Sequence, residues 1–380
     1  MKIDANSVTF EPQDMAFVKK FGILKATEMA LDYHAEHPNL PFLYDAEQLA
    51  GFLGISRGEL NDIVNHIQKE YKETRLPKKD GTYRSLCVPS IRLRFCQDPI
   101  KEKILPQLPV SKFATAYQKG STTRGNAEPH IGKKFLLKLD ITDFFGSITF
   151  EQVQRTAFNT RYVSRQVGYL LTSLCCKDDS LPQGAATSPA LSNIVMYRFD
   201  DYIGRWCSQR QIAYTRYCDD MTFSANRPLY GVYQKVKTML REMGFELNES
   251  KTHFIGNDNR QSVTGLVVNE KLSIPSGYKR DLRQEVYYAL KFGVEDSVLH
   301  GHRSDFVEDG RPICCPTYML HLMGKVQYVL QIEPENLWFK DAQEKLLAYI
   351  YEHYSESLSY YLHFNKNGKG KGMHEQSNPV

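Results

Sequence analysis

The segment RYCDDMTF, residues 216–223, sets two aspartates side by side between short runs of aromatic, apolar and β-branched residues. Such runs favour extended chain, and the aspartates fall where a tight turn would join two strands. Two unit charges about 4 Å apart repel by only ~1 kcal/mol in bulk water, but by ~4 kcal/mol at an effective dielectric near 20. A half-buried carboxylate pair therefore shares a proton, meets arginines or binds a cation. A fold for this chain has to supply one of the three.

The surrounding pattern narrows the architecture. KFLLKLDITDFFGSI (134–148) alternates, with Leu137, Leu139 and Ile141 on one face and Lys138 and Asp140 on the other, which predicts a half-buried strand carrying a carboxylate. Thr149-Phe-Glu-Gln152 has the form of a capping box opening a helix. LPQGAATSPALSNIVMYRFDDYIGRW (181–206) reads as a turn and an amphipathic helix, and YQKVKTMLREMGF (233–245) as another helix ending near Gly244. IAYTRY (212–217) and MTFSA (221–225) predict a hairpin with the aspartates at its tip, and SVTGLVVNEKLSIP (262–275) reads as β. Ahead of these, LPKKDGTYRSLCVPS predicts a hairpin turning at Asp80–Gly81, and residues 45–54 and 59–71 have helical spacing. Those two helices could pass for a helix-turn-helix, a pattern that plain packing also produces. The sum is an α+β layer: a small antiparallel sheet backed by helices, with Asp140, Asp219 and Asp220 on neighbouring strands.

Composition adds exclusions. The chain has 380 residues, 42% of them hydrophobic, with neither a run of about 18 apolar residues nor a signal-peptide pattern, so a cytoplasmic protein without a membrane partner is expected. The eight cysteines include no C-x-x-C and are read as reduced, mostly buried thiols. A net charge of +4 decides little, but KKDGTYR (78–84), HIGKKFLLK (130–138) and GYKRDLR (277–283) concentrate cations among aromatics, as nucleic-acid grooves do.

YCDD on a hairpin, LKLDITDFF upstream and LPQGAATSP between them resemble a reverse transcriptase in motif and in order, over residues 70–275 and more loosely to 360. A lone Y-x-D-D is compatible with a surface turn; the ordered set is what carries the resemblance. Asn126-Ala-Glu-Pro-His130 resembles the NA-x-x-H element of retron reverse transcriptases, and Val263-Thr-Gly265 their VTG element. Cys218 stands where alanine is common in the family, a small-for-small change.

The resemblance implies a right-hand polymerase: an N-terminal helical extension (1–75), fingers and palm (76–275), a helical thumb (276–364) and a disordered basic tail (365–380). It implies two Mg²⁺ ions, with Mn²⁺ as a substitute, bridged by Asp140 and Asp219, completed by Asp220 and the Ile141 carbonyl. Lys78 and Arg84 would grip the dNTP triphosphate, joined by the backbone N–H of Asp143. Gln183 and Gly184 would lie against the nucleotide sugar and template, and Phe145 would block a ribose 2′-hydroxyl, although Phe144 and Phe145 are equally suited to a core position. Lys251 would protonate the leaving pyrophosphate. Asn126, His130, Lys279, Arg280 and Arg283 would handle RNA. A retron enzyme copies its own non-coding RNA from the 2′-hydroxyl of an internal guanosine into branched DNA (msDNA), commonly in antiphage defence with a separate effector protein. No RNase H-type carboxylate cluster follows residue 275, so host RNase H would remove the template. Two other readings stay open here: a group II-like or other defence-associated enzyme making unbranched cDNA, and a catalytically idle RNA-binding scaffold.

Overall fold

The structure is a computed structural model and describes every residue except 1, 5–6, 78–80, 82, 160–162, 302–305, 309–310, 313–314 and 367–380. Lys78 and the basic tail beyond Lys366 lie outside the described residues. The chain forms two compact units, one of residues 1–122 and 135–254, the other of 123–134 and 255–380.

At the centre of the first unit is a four-stranded sheet. Ala213–Tyr217 pairs antiparallel with Asp220–Ala225, which pairs antiparallel with Phe135–Asp140; His253–Gly256 completes the order. The expected alternation in Phe135–Asp140 is only partly observed. Leu137 and Leu139 are buried as predicted, but Leu136 and Asp140 on the opposite face are buried too. The helix Phe150–Ala157 packs against the helix Ser188–Ser208, which in turn packs against the sheet at Ala213–Tyr217. The first opens on the predicted capping box: Gln152 N–H donates to Thr149 Oγ1 and Thr149 N–H to Gln152 Oε1. Leu139, Val153, Leu171, Phe199, Phe223 and Phe245 belong to one continuous core. Each such side chain, fully buried, contributes about 1.5–3 kcal/mol.

Upstream, the predicted helices appear as Ala46–Leu53 and Arg57–Asn65, the second shorter than its periodicity suggested because the chain tightens into a 3-10 turn at Ile67–Glu70. Their N-caps are Asp45, accepting from Glu47 and Gln48 N–H, and Ser56, in a capping box with Glu59. The hairpin strands Tyr71–Pro77 and Tyr83–Pro89 follow, with Pro77 opposite Tyr83; Asp80 of the predicted Asp80–Gly81 turn lies outside the described residues.

The second unit is mainly helical: Ser276–Phe292, Val294–His300, Cys315–Ile332 and Leu337–Lys366, the last interrupted at Tyr354. Leu282, Val286, Tyr318, Leu322, Val326 and Phe339 are buried within it. No helix among the described residues is long and apolar enough to cross a membrane.

Candidate active site

Antiparallel register sets Asp220 directly opposite Asp140, and opposite Tyr217 on its other side. Asp220 therefore belongs to its strand, and the turn consists of Cys218 and Asp219 alone, which corrects the expectation of a three-residue tip. Like charges directly opposed across a ladder destabilise it. Asp140 is only 6% exposed and Asp220 is half-buried. Burial first, then the charges of Asp219 and Asp140, raise the Asp220 carboxyl to a pKa of about 6, with Lys138 and Lys251 opposing the shift. Asp219 is tied in through its backbone, its carbonyl accepting from Ile141 N–H at 3.2 Å. The Asp140 carbonyl accepts from Asn248 N–H at 2.8 Å, which brings the NESKT segment alongside. Lys251 Nζ then lies 3.0 Å from Asp140 Oδ2. That hydrogen bond, and the nearby carboxylates, raise the lysine pKa.

The donors are hard oxygens crowded into a partly dry corner, a chemistry that fits a divalent cation. Among the described residues no three His, Cys, Asp or Glu side chains close into a cage. That is compatible with Mg²⁺, which keeps several waters and relies on substrate phosphates.

The remaining predicted nucleotide contacts fall in the same unit. Arg84 is exposed on Tyr83–Pro89, and Cys87 N–H of that strand donates to the Gln183 carbonyl at 2.7 Å. This bond joins LPQG to the hairpin. Gly184 has φ of +121°, and a Cβ there would meet the Cys87 carbonyl oxygen at 2.9 Å. Asp143 is exposed with φ of 42°. The structure separates the two phenylalanines: Phe144 is buried, 6.1 Å from the Phe245 ring, whereas Phe145 is half-buried.

The residues expected to handle RNA occupy the second unit. NAEPH and VTG meet there, Asn126 Nδ2 donating to Thr264 Oγ1 at 3.3 Å and Thr264 Oγ1 to the Thr123 carbonyl at 3.2 Å. VTG is a turn, with Thr264 (φ 44°) and Gly265 (φ 81°) between the short strands Ser262–Val263 and Leu266–Val267. Asn126 and His130 are 2% and 0% exposed, so their side chains support the loop and offer no surface for direct RNA contact. Burial, reinforced by Lys133, pushes the His130 pKa down to about 3, leaving the ring neutral at pH 7. Lys279 is paired with Glu333 at 2.6 Å, and the Arg283 guanidinium lies 5.5 and 5.4 Å from the Trp338 and Phe339 rings. Arg280 is exposed.

Sequence reasoning missed the set that supports the hairpin from behind. Arg216, Asp200, Asn193 and Tyr214 form a buried network that reaches the Cys218 carbonyl through Arg216 and the Ala116 carbonyl through Asn193. The only signal was an arginine in an otherwise core-facing strand.

Comparison with known proteins identifies the class. Residues 76–268 match the family described as Reverse transcriptase (RNA-dependent DNA polymerase). The chain belongs to that family and, within it, to the retron reverse transcriptases. It is similar to the retron Mx65 reverse transcriptase of Myxococcus xanthus, at 31% identity over 78% of this chain and 70% of the relative. Similarity to the retron Ec86 reverse transcriptase of Escherichia coli is 28% over 70% and 84% of the two chains. For the retron Ec83 enzyme of the same species it is 34% over 57% and 75%. The activity is thus RNA-directed DNA polymerisation, which in this family uses divalent metal ions.

Proposed function

We propose that this enzyme copies part of a cognate structured RNA, starting from the 2′-hydroxyl of an internal guanosine, and leaves branched msDNA used in antiphage defence with a separate effector protein. What supports the retron-type reading is the junction of NAEPH with VTG through the Asn126–Thr264 hydrogen bond. Asn126 and His130 would act on RNA through the shape of that loop, and exposed Arg280 by direct phosphate contact. Lys279 and Arg283, engaged within the second unit, would contribute mainly by holding the helix that carries Arg280. Residues 1–75 would be an N-terminal extension, 76–275 the fingers and palm, and 276–364 the thumb. Host RNase H would clear the copied template.

At the active site, Asp140 and Asp219 would hold two Mg²⁺ ions (or Mn²⁺), with Asp220 and the Ile141 carbonyl completing the ligands. Bound there, the ions would supply Lewis-acid stabilisation to the attacking and leaving oxygens of in-line phosphoryl transfer. Arg84 and Lys78 would hold the dNTP triphosphate, the arginine fork taking two phosphate oxygens. The Asp143 N–H would add a donor, and Gln183 and Gly184 would bound the sugar and template. Lys251 would leave Asp140 to protonate pyrophosphate, general-acid help typically worth ~10²–10⁴-fold.

Phe145, the half-buried member of the pair, would exclude the ribose 2′-hydroxyl. Phe145→Val should therefore raise rGTP incorporation relative to dGTP by ~10–200-fold, the range for a small steric change in a pocket. Single-nucleotide extension measures it, and unchanged discrimination would return Phe145 to a packing role.

The priming chemistry is tested by the product. DNA extracted from cells carrying the gene with its native upstream DNA should change mobility on denaturing electrophoresis after RNase and after debranching enzyme. A product indifferent to both, with an ordinary 5′ end, would leave a plain reverse transcriptase making unbranched cDNA.

A further inference from the structure

Arg216 is among the largest side chains wholly withdrawn from solvent in the described residues, and it lies two residues before the Cys218–Asp219 turn. Its Nε is 2.9 and 3.1 Å from the two oxygens of Asp200, and its Nη2 is 2.6 Å from Asp200 Oδ2 and 3.1 Å from Asn193 Oδ1. The Tyr214 hydroxyl donates to Asp200 Oδ1 at 2.7 Å. Asn193 and Asp200 are both buried on the helix Ser188–Ser208, seven positions or about two turns apart, and so share a face. A buried ion pair is by itself weak ground for stability, because apolar side chains of similar volume often do as well. Two bonds, however, leave the network: Asn193 Nδ2 donates to the Ala116 carbonyl at 2.8 Å, and Arg216 Nη1 donates to the Cys218 carbonyl, at the turn itself, at 2.8 Å.

That carbonyl belongs to a strained residue. Cys218 has φ of 62°, a region that non-glycine residues avoid unless their surroundings hold them there. The Tyr117 hydroxyl donates to its Sγ at 3.1 Å. Asp219 follows at once, and Asp220 after it.

We propose that Arg216 is a positioning residue: braced by Asp200 and Asn193, it clamps the Cys218 carbonyl and so fixes the turn that aims Asp219 and Asp220 toward Asp140. This rests on the reading of those aspartates as ligands of the divalent ions. Only a planar fork holds a carboxylate with two of its nitrogens while a third reaches a carbonyl; a lysine ammonium is a single point.

Arg216→Lys keeps the charge opposite Asp200 but loses the reach. The test compares it with wild type in a complex of full-length protein, RNA template, dideoxy-terminated primer and matching dNTP, where no chemistry proceeds. Mn²⁺ binding is read by electron paramagnetic resonance at a temperature where circular dichroism shows both proteins folded. Outer partners of metal ligands typically contribute ~10–100-fold to affinity or activity, so Mn²⁺ binding should weaken about tenfold or more. In running assays kcat should fall while KM for dNTP moves by less than about twofold, the pattern of a lost transition-state arrangement. A lower melting temperature with wild-type Mn²⁺ binding and kcat would overturn the proposal. Should Arg216→Lys not fold, the double variant Arg216→Met/Asp200→Leu fills the space without charge and is read the same way. Failure of both to fold also overturns it, since the network would then be a requirement of the fold itself. Asp219→Ala, run beside them, keeps the two readings apart. If it still polymerises, the ligand assignment fails. If it is inactive while Arg216→Lys matches wild type, only the positioning role fails.

Discussion

Asp219→Ala is expected to abolish extension of an oligo(dT) primer on poly(rA), by ~10³-fold or more, because a metal clamp supplies several kcal/mol to the transition state and each 1.36 kcal/mol is a factor of ten. Asp220→Asn should be comparably inactive yet more heat-stable without metal. The Asp220 carboxyl has a folded-state pKa of about 6 against an ordinary 3.8, so keeping it ionised costs the fold free energy. At a unit of pKa per 1.36 kcal/mol, and discounted for its partial exposure, that cost is of order 1–3 kcal/mol. The native state binds more protons than the unfolded chain between those two values, so stability falls as pH rises from about 4 to 6. Above that window the full cost is present; below it the cost is gone. The melting temperature of Asp220→Asn should thus exceed wild type by a few degrees at pH 7.5 in EDTA, with the gap closing near pH 4. A gap independent of pH would contradict the crowding of Asp220 by burial and its neighbouring aspartates.

Gly184→Ala is expected to lower extension by about tenfold or more while destabilising the first unit. At φ of +121° an alanine backbone is strained, and its Cβ would press on the Cys87 carbonyl oxygen at 2.9 Å. Strain of this kind costs ~1–3 kcal/mol, and an ångström of displacement at a reacting site can cost ~10²-fold. Relief by moving the strand would stretch the Cys87–Gln183 hydrogen bond, which is what aligns LPQG with the hairpin bearing Arg84. Thermal unfolding and steady-state extension measure the two effects. Wild-type values in both would mean that the contact yields freely and that the glycine is not needed for close approach.

Much of the first unit was legible because its signals are local. The Thr149–Gln152 capping box, the pairing of Tyr71–Pro77 with Tyr83–Pro89 and the burial of Leu137 and Leu139 each depend on residues within a few positions of one another. Helix Arg165–Cys175 was not read because most of its residues are buried, which removes the polar face that periodicity relies on. The paired strands Lys2–Asp4 and Ser7–Thr9 are too short for a pattern. Residues 262–275 read as β, whereas only Ser262–Val263 and Leu266–Val267 pair, about a turn marked by Thr264 and Gly265 in the left-handed region. At the active site the three aspartates were visible as a group, but the setting of Asp220 within its strand follows from register. The network behind them was invisible for a different reason: Arg216 finds Asp200 and Asn193 sixteen and twenty-three positions earlier, on another element. The burial of Asn126 and His130 was hidden likewise, since the partner Thr264 comes from the far end of the reverse transcriptase segment.

The central claim is that this chain copies an RNA it binds, using the carboxylates of the Cys218–Asp219 turn and its two neighbouring strands. The most direct measurement is sequencing of the nucleic acid that copurifies with wild type and with Asp219→Ala, each expressed with its native upstream DNA. Wild type should carry one structured RNA together with a DNA complementary to part of it, and Asp219→Ala should carry the RNA alone. DNA unrelated to the bound RNA, or the same complementary DNA on Asp219→Ala, would contradict it.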